Sequence, residues 1–289
     1  MVKKFVFTIT TGRSGTYFCS DLFRRNVRHA DVFHERIDFD SFGRHTPEIS
    51  HLMLFNTLGN VDRIREFWKQ KFARDQLLPQ PCYVETSHML AKAGLLENVD
   101  ILESAGHIVH VLILRRNAFD IFWSLIDRGD FRYLGGHTWL HWLDPRYRNR
   151  ILSPEPFMKE NTEWGCAAWY VWEVFVRAEY YRLLLADQPQ VHVHDVHLEE
   201  IVHSEGVREL LLALEMLSSA EQIDLPPRVN ARGGDNLPPL DKARAREFFE
   251  HHTLDRDACQ ELARQYFASG ARLGACKFSV GNFSESHGC

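Results

Sequence analysis

The sequence lacks three features that would indicate common classes of function. No apolar run approaches the ~20 residues that a membrane-spanning helix needs. The formal net charge of -5 argues against bulk electrostatic binding to nucleic acid or to a membrane surface. The six cysteines are scattered along the 289 residues without a CxxC pair, which favours free thiols in a reducing compartment. We therefore expect a cytoplasmic protein with no membrane span and no nucleic-acid partner; the oligomeric state stays open.

The chain also lacks internal repeats and any linker long enough to separate two domains. Apolar, β-branched segments alternate with segments of helical periodicity, which predicts a central parallel sheet flanked by helices. The predicted strands are residues 5–10, 31–34, 82–86, 107–116 and 191–196. The main predicted helices are residues 16–28, 61–75, 117–129 and 162–186. We expect a single α/β domain over residues 1–280 and a disordered tail at 281–289.

The opening stretch, FVFTITTGRSGTYF, passes from a strand through a turn bracketed by glycines into a helix. Gly12 and Gly15 allow a tight turn that points backbone amides at an anion. The helix that starts near Thr16 adds its dipole and its unpaired N–H groups, and the Ser14 and Thr16 hydroxyls can donate hydrogen bonds. The pattern predicts a phosphate-binding loop, although an ordinary glycine turn between a buried strand and a helix is the alternative.

This loop lacks the lysine of the ATP and GTP loops, whose pattern is G-x-x-x-x-G-K-S/T. The chain has Arg13 instead, and a planar guanidinium suits a smaller anion. Arg116 ends the strongest predicted strand, and Ser124 follows two helical turns later. Because ligands of parallel sheets bind beyond the carboxyl ends of the strands, Arg13 and Arg116 should lie at the same sheet edge. Two phosphate sites predict a nucleotide phosphorylated at two places, on a fold of the P-loop nucleotide-binding type.

With these two motifs the sequence resembles the sulfotransferases that use 3'-phosphoadenosine 5'-phosphosulfate (PAPS). In that family a loop often written R-S-G-S/T holds the 5'-phosphosulfate, and a segment R-N/D-P-x-D/E-x-x-x-S holds the 3'-phosphate. The counterparts here are residues 13–16 and 116–124, with Ala118 in place of the usual proline. Arginine at position 13 is typical of the carbohydrate and protein-tyrosine branch. The resemblance covers residues 5–125 well and the rest in outline.

The resemblance implies sulfuryl transfer from PAPS, without a metal, to a hydroxyl or amine, leaving adenosine 3',5'-bisphosphate. The donor-binding residues would be Gly12, Arg13, Ser14, Gly15, Thr16, Tyr17, Arg116, Ser124 and Arg232. Arg232 stands in a Gly/Pro-rich segment that resembles, loosely, the basic C-terminal segment with which many sulfotransferases close over the nucleotide. A solvated loop is the alternative reading of that segment.

Sulfuryl transfer needs a cation near the leaving oxygen and a base for the acceptor proton. Arg13 suits the first requirement because it stays charged. For the base, the resemblance favours Glu35, with His34 second, because the carbohydrate and tyrosine branch often has a glutamate after the second strand. Glu85 and His88, at the end of the third strand, are further candidates. The alternative for the 34–35 pair is a loop cap or a salt bridge.

Other features leave alternatives open. His192 and His194 share one face of a predicted strand, but without a second ligand cluster we expect no metal. The aromatic insert at 130–160 is either an acceptor-binding lid or ordinary loop packing. The acceptor could be a small molecule, a sugar, or a tyrosine or other phenol. A P-loop kinase, disfavoured by the missing lysine, and a non-catalytic nucleotide-binding protein are the alternative functions.

Overall fold

The computed structural model describes residues 2–36, 42–132, 142–159, 162–217, 222–227 and 240–275. The strands are β1 (Lys4–Ile9), β2 (Ala30–His34), β3 (Cys82–Thr86), β4 (Ile108–Arg115) and β5 (Val191–His197). The helices are α1 (Thr16–Asn26), α2 (Ile49–Leu58), α3 (Asp62–Gln76), α4 (Asp100–Ser104), α5 (Ala118–Asp127), α6 (Thr162–Leu184), α7 (Leu198–Ile201), α8 (Ser204–Ala213), α9 (Lys242–Glu250) and α10 (Arg256–Ala268). All five predicted strands are present, each within a residue of its predicted bounds.

In the described residues the strands form one all-parallel sheet in the order β2-β3-β1-β4-β5. The predicted single α/β domain with a central parallel sheet is therefore confirmed. β1 lies in the middle and pairs with both β3 and β4. Because every strand runs the same way, the segments that follow β1, β2, β3 and β4 all leave the sheet at one edge.

The side chains of β1 alternate between two apolar layers, as the two-residue period of a strand requires. Phe5 and Phe7 pack with α3 and α6 on one face. Val6 packs with α1 and α8 on the other. None of the helices in the described part of the chain combines the length and the apolar character of a membrane span.

Helix α2 was not predicted from the sequence. Its segment, ISHLMLFNTL, contains no charged residue and places His51 and Asn56 on the buried side. A helix without a distinct polar face gives no amphipathic periodicity to detect. Asn56 is held there because its Nδ2 donates to the main-chain oxygens of Leu52 and Lys92.

The carboxyl group of Glu97 is buried against α6. Tyr181 Oη donates to Glu97 Oε1 over 2.8 Å, and Oε2 has no hydrogen-bond partner among the described residues. Burial raises the pKa of Glu97 to about 8, although the hydrogen bond from Tyr181 and the charge of Arg177 oppose this rise. In the folded protein this side chain is therefore protonated at neutral pH.

This raised pKa predicts a pH-dependent loss of stability. Between the ordinary glutamate pKa and about 8 the folded state holds a proton that the unfolded chain has released, so the free energy of unfolding falls as pH rises. Glu97→Gln keeps the size and the neutral form and removes the titration. We expect the melting temperature of the unmodified protein to fall relative to that of Glu97→Gln between about pH 5 and about pH 8. Both melting temperatures are measured across this pH range at constant ionic strength. A difference between the two proteins that stays the same at every pH would contradict the prediction.

Candidate functional site

The candidate anion-binding loop joins β1 to α1. Its turn uses left-handed backbone at Arg13 (φ 67°) and Gly15 (φ 88°). Gly15 is the N-cap of α1 and makes no side-chain capping bond, and the first turn of the helix carries no acidic residue. The N-terminal N–H groups of the helix are therefore oriented as donors for an anion.

The two predicted phosphate motifs meet at this loop. Arg13 Nε donates to Ser124 Oγ over 3.0 Å, and Arg116 Nη1 donates to the main-chain oxygen of Arg13 over 2.9 Å. Burial lowers the pKa of Arg13, and the nearby positive charges of Arg128 and Arg116 add to this. Arginine nevertheless stays protonated in proteins. The structure thus concentrates positive charge where the β1–α1 and β4–α5 connections come together.

The remaining predicted loop residues differ in what they offer to a ligand. Ser14 is fully buried, and its hydroxyl shares a short hydrogen bond with Thr11. Thr16 accepts a hydrogen bond at its main-chain oxygen from Thr86 Oγ1 over 2.8 Å, which connects α1 to the end of β3. Tyr17 is 56 % exposed, so its ring is accessible beside the loop. The Ser14 side chain therefore contacts the turn itself, whereas the partly exposed Tyr17 ring packs edge-on against His34 with a centroid distance of 5.5 Å.

The absence of proline at position 118 does not disturb the second motif. Ala118 is the first residue of α5, a position at which proline is common but not required. Asn117 caps the helix, because its side chain accepts a hydrogen bond from the main-chain N–H of Asp120 over 3.1 Å. The cap starts the helix directly after Arg116 without the proline, and Ser124 lies in the second turn of that helix.

Glu35 lies between two imidazoles. Its Oε1 accepts from the main-chain N–H of His88 over 3.3 Å and lies 3.5 Å from His88 Nε2, while its Oε2 lies 3.9 Å from His34 Nε2. His34 Nδ1 is 3.0 Å from the main-chain oxygen of Thr86, so that nitrogen carries the proton. The backbone of Glu35 is left-handed (φ 37°), which is uncommon for a residue with a side chain. Glu35, His34 and His88 are thus brought together at the carboxyl ends of β2 and β3.

Glu85 is not part of this group. Its Oε2 accepts from Lys71 Nζ over 2.6 Å and from Tyr83 Oη over 2.6 Å, and all three side chains are fully buried. Asp75 completes the cluster with a bond of 2.8 Å from Lys71 Nζ. A fully buried carboxylate that is bonded to Lys71 and Tyr83 is out of reach of a bound acceptor. Glu85 stabilises the interior instead.

Sequence reasoning did not place Lys92 or Tyr170 in the site, and it considered Trp142 only as part of the aromatic insert. Lys92 Nζ lies 2.7 Å from His88 Nδ1 and donates to Tyr170 Oη over 3.2 Å. Tyr170 Oη also accepts from the main-chain N–H of Gly12 over 3.0 Å. The Trp142 ring stacks on His88 with a centroid distance of 4.8 Å. Lys92 is local to the predicted site, since it stands four residues after His88. Trp142 and Tyr170 lie far away in sequence.

The remaining expectations concern residues elsewhere. Three of these regions lie outside the described residues: Arg232, the tail at 281–289, and Tyr133 and Trp139 of the insert. His194 Nε2 lies 3.0 Å from His110 Nδ1 on the neighbouring strand. In the described ranges no group of three or more His, Cys, Asp or Glu side chains is arranged to hold a metal.

Comparisons with known proteins give structural neighbours and no close relative. No protein-family model matches the chain, and no curated protein matches it. A sulfotransferase domain from the curacin biosynthetic pathway shares 11 % identity and a TM-score of 0.43, over 94 % of this chain and 99 % of that domain. A sulfotransferase from Alicyclobacillus acidocaldarius shares 14 % identity and a TM-score of 0.44, over 96 % of this chain and all (100 %) of its own.

The packing of Trp142 on the loop predicts the effect of a small substitution. A Cβ atom at Gly12 would overlap the Trp142 ring. We expect Gly12→Ala to lower the melting temperature by about 2–6 °C, because overpacking costs roughly 1–3 kcal/mol. Adding Trp142→Leu, which shortens the opposing side chain, should recover part of this loss. If Gly12→Ala melts like the unmodified protein, Trp142 does not cover the loop.

Proposed function

We propose that this protein is a sulfotransferase that moves the sulfuryl group of PAPS to a hydroxyl or amine of an acceptor. The proposal rests on the hydrogen bonds that join Arg13 to Ser124 and to Arg116. Arg13 contacts side chains that are 103 and 111 residues away in sequence, across two neighbouring strand–helix units. A nucleotide with separate 5'- and 3'-phosphate groups needs two adjacent anion sites of this kind.

The groups present fit such a donor. The N–H groups at the start of α1 and the guanidinium of Arg13 would bind the 5'-phosphosulfate. Arg116 and Ser124, now bonded to the loop itself, would exchange these bonds for oxygens of the 3'-phosphate. The exposed ring of Tyr17 offers a surface beside the nucleotide. Arg232 remains a proposed contact that would close over the 3'-phosphate.

The proposed reaction is an in-line displacement at sulfur. The bond between the acceptor oxygen or nitrogen and sulfur forms while the bond from sulfur to the bridging phosphate oxygen breaks. Arg13 stabilises the charge that develops on the leaving oxygen, and its contribution is electrostatic because it cannot give up a proton.

The acceptor proton goes to Glu35. His88 holds Oε1 through its main-chain N–H, so Oε2 is the oxygen available to the acceptor. His34, whose Nε2 lies 3.9 Å from Oε2, is the second candidate base. His88 supports the carboxylate, and the acceptor class stays open among small molecules, sugars and phenols.

Nucleotide binding distinguishes this proposal from a kinase. We expect adenosine 3',5'-bisphosphate at a hundredfold excess over its Kd to stabilise the protein by about 2.7 kcal/mol, which raises the melting temperature by several degrees. ATP with magnesium should raise it less. Equal or greater stabilisation by ATP with magnesium would favour the kinase.

The Arg116→Ala variant assigns the 3'-phosphate site. A charge-assisted phosphate contact contributes roughly 1.5–3 kcal/mol, so the Kd for the bisphosphate should rise more than about tenfold. AMP, which has no 3'-phosphate, is the matched control, and the variant should bind it as the unmodified protein does. Normal bisphosphate binding, or an equal loss for both nucleotides, would contradict the assignment.

Glu35→Gln tests the base. The substitution keeps the size and removes the basicity, so we expect kcat to fall by about 10²–10⁴ for any acceptor that the unmodified protein sulfates. Affinity for the bisphosphate should not change. His34→Ala should cost only about tenfold in kcat if His34 orients the acceptor. An inactive His34→Ala together with an active Glu35→Gln would reverse the assignment of the base.

A further inference from the structure

The Lys92 amine is buried between the candidate base and the phosphate-binding loop. Lys92 is 2 % exposed, and lysine is almost never fully buried unless it is paired. Its Nζ atom lies within hydrogen-bond distance of His88 Nδ1 and of Tyr170 Oη. The same atom lies 5.1 Å from the centroids of the Trp142 and Tyr170 rings. The proposed donor contacts and proton transfer do not explain this placement.

We propose that Lys92 is a positioning residue whose amine donates to His88 Nδ1 and thereby keeps the His88 proton on Nε2, directed at Glu35. Only the expected effect of Lys92 on catalysis rests on the proposed sulfuryl transfer. The hydrogen-bond arrangement itself rests on the contacts of His88.

Both sides of the His88 ring support this tautomer. A neutral imidazole has one N–H and one acceptor nitrogen. Nδ1 faces the amine at 2.7 Å, and Nε2 faces the carboxylate oxygen Oε1 of Glu35 at 3.5 Å. A proton on Nε2 places a donor opposite the carboxylate and an acceptor opposite the amine. The other tautomer would place a lone pair against the carboxylate.

The charge of Lys92 leaves the Glu35 side of this argument unchanged. Burial lowers the pKa of Lys92 well below its ordinary range, with Glu35 opposing the shift and Arg177 adding to it. Both forms carry N–H groups that can donate to Nδ1, but only the neutral amine could also accept from an Nδ1–H, so the Glu35 carboxylate on the other side of the ring decides between the tautomers. With the proton on Nε2, His88 faces Glu35 as a donor.

Lys92 also connects the base to the loop that would hold the donor. Tyr170 Oη accepts from Lys92 Nζ and from the main-chain N–H of Gly12. A continuous series of hydrogen bonds therefore runs from the loop through Tyr170 and Lys92 to the His88 ring, whose Nε2 faces Glu35. Such a series fixes the position of Glu35 relative to the phosphate-binding loop.

The tautomer of His88 can be measured directly. In protein labelled with ¹⁵N in the histidine rings, long-range ¹H–¹⁵N correlations separate Nδ1-protonated from Nε2-protonated imidazole. His88→Gln identifies the His88 signals. We expect His88 to be Nε2-protonated in the unmodified protein, both free and with adenosine 3',5'-bisphosphate. An Nδ1-protonated His88 would overturn the inference, whatever the variants show.

Lys92→Met removes the amine and keeps an unbranched side chain. We expect the His88 signals to shift toward a mixture of tautomers, and kcat to fall by about 10–10²-fold while the bisphosphate Kd stays within about twofold. Unchanged His88 signals in a folded Lys92→Met variant would overturn the inference.

Tyr170→Phe is the matched control. It removes the Tyr170 hydroxyl, which accepts from the Lys92 amine, and leaves the contact between Lys92 Nζ and His88 Nδ1. His88 should therefore keep its tautomer. A change of tautomer in this variant equal to that in Lys92→Met would assign the effect to general packing and contradict a specific role of the amine. If the unmodified protein transfers no sulfuryl group, the proposed function fails, whereas the NMR result still decides the tautomer.

Discussion

The candidate site depends on the parallel pairing of β1 with β4. Lys4 to Ile9 align with Ile108 to Ile113 in one direction, so the loop after β1 and Arg116 after β4 leave the sheet at the same edge. An antiparallel pairing would place them at opposite edges. The contacts of Arg13 with Ser124 and with Arg116 follow from this alignment, because each strand is continued directly by the segment that carries one of the motifs.

The pairing of β2 with β3 builds the other half of the site in the same way. His34 is aligned with Thr86, so Glu35 and His88 follow two neighbouring strand ends. β1 separates β3 from β4 in the sheet, which places the candidate base on one side of the phosphate-binding loop and Arg116 on the other. The reacting groups of an acceptor and a donor could therefore meet above the end of β1.

The parts of the site that could be predicted are local in sequence. Arg13, Arg116 and Ser124 belong to short motifs that follow recognisable strands, and Glu35 follows the second strand directly. Tyr170 could not be predicted, because it reaches the loop from the middle of a helix that reads as core. Glu85 was indistinguishable from a site residue until α3 was seen to bring Lys71 against it. Glu85 shows that a polar residue at the end of a strand beside the site can serve the interior instead.

The most direct measurement of the central claim is the transfer of label from [³⁵S]PAPS to a panel of phenols, sugars and amines, compared between the unmodified protein and Arg13→Ala. Arg13 is the residue proposed to stabilise the leaving oxygen, and its loss leaves Glu35 and His88 in place. The account predicts label in at least one acceptor class with the unmodified protein, and a rate reduced by about 10²–10³ with Arg13→Ala. Tight binding of adenosine 3',5'-bisphosphate without label in any acceptor would contradict catalysis and leave a nucleotide-binding protein.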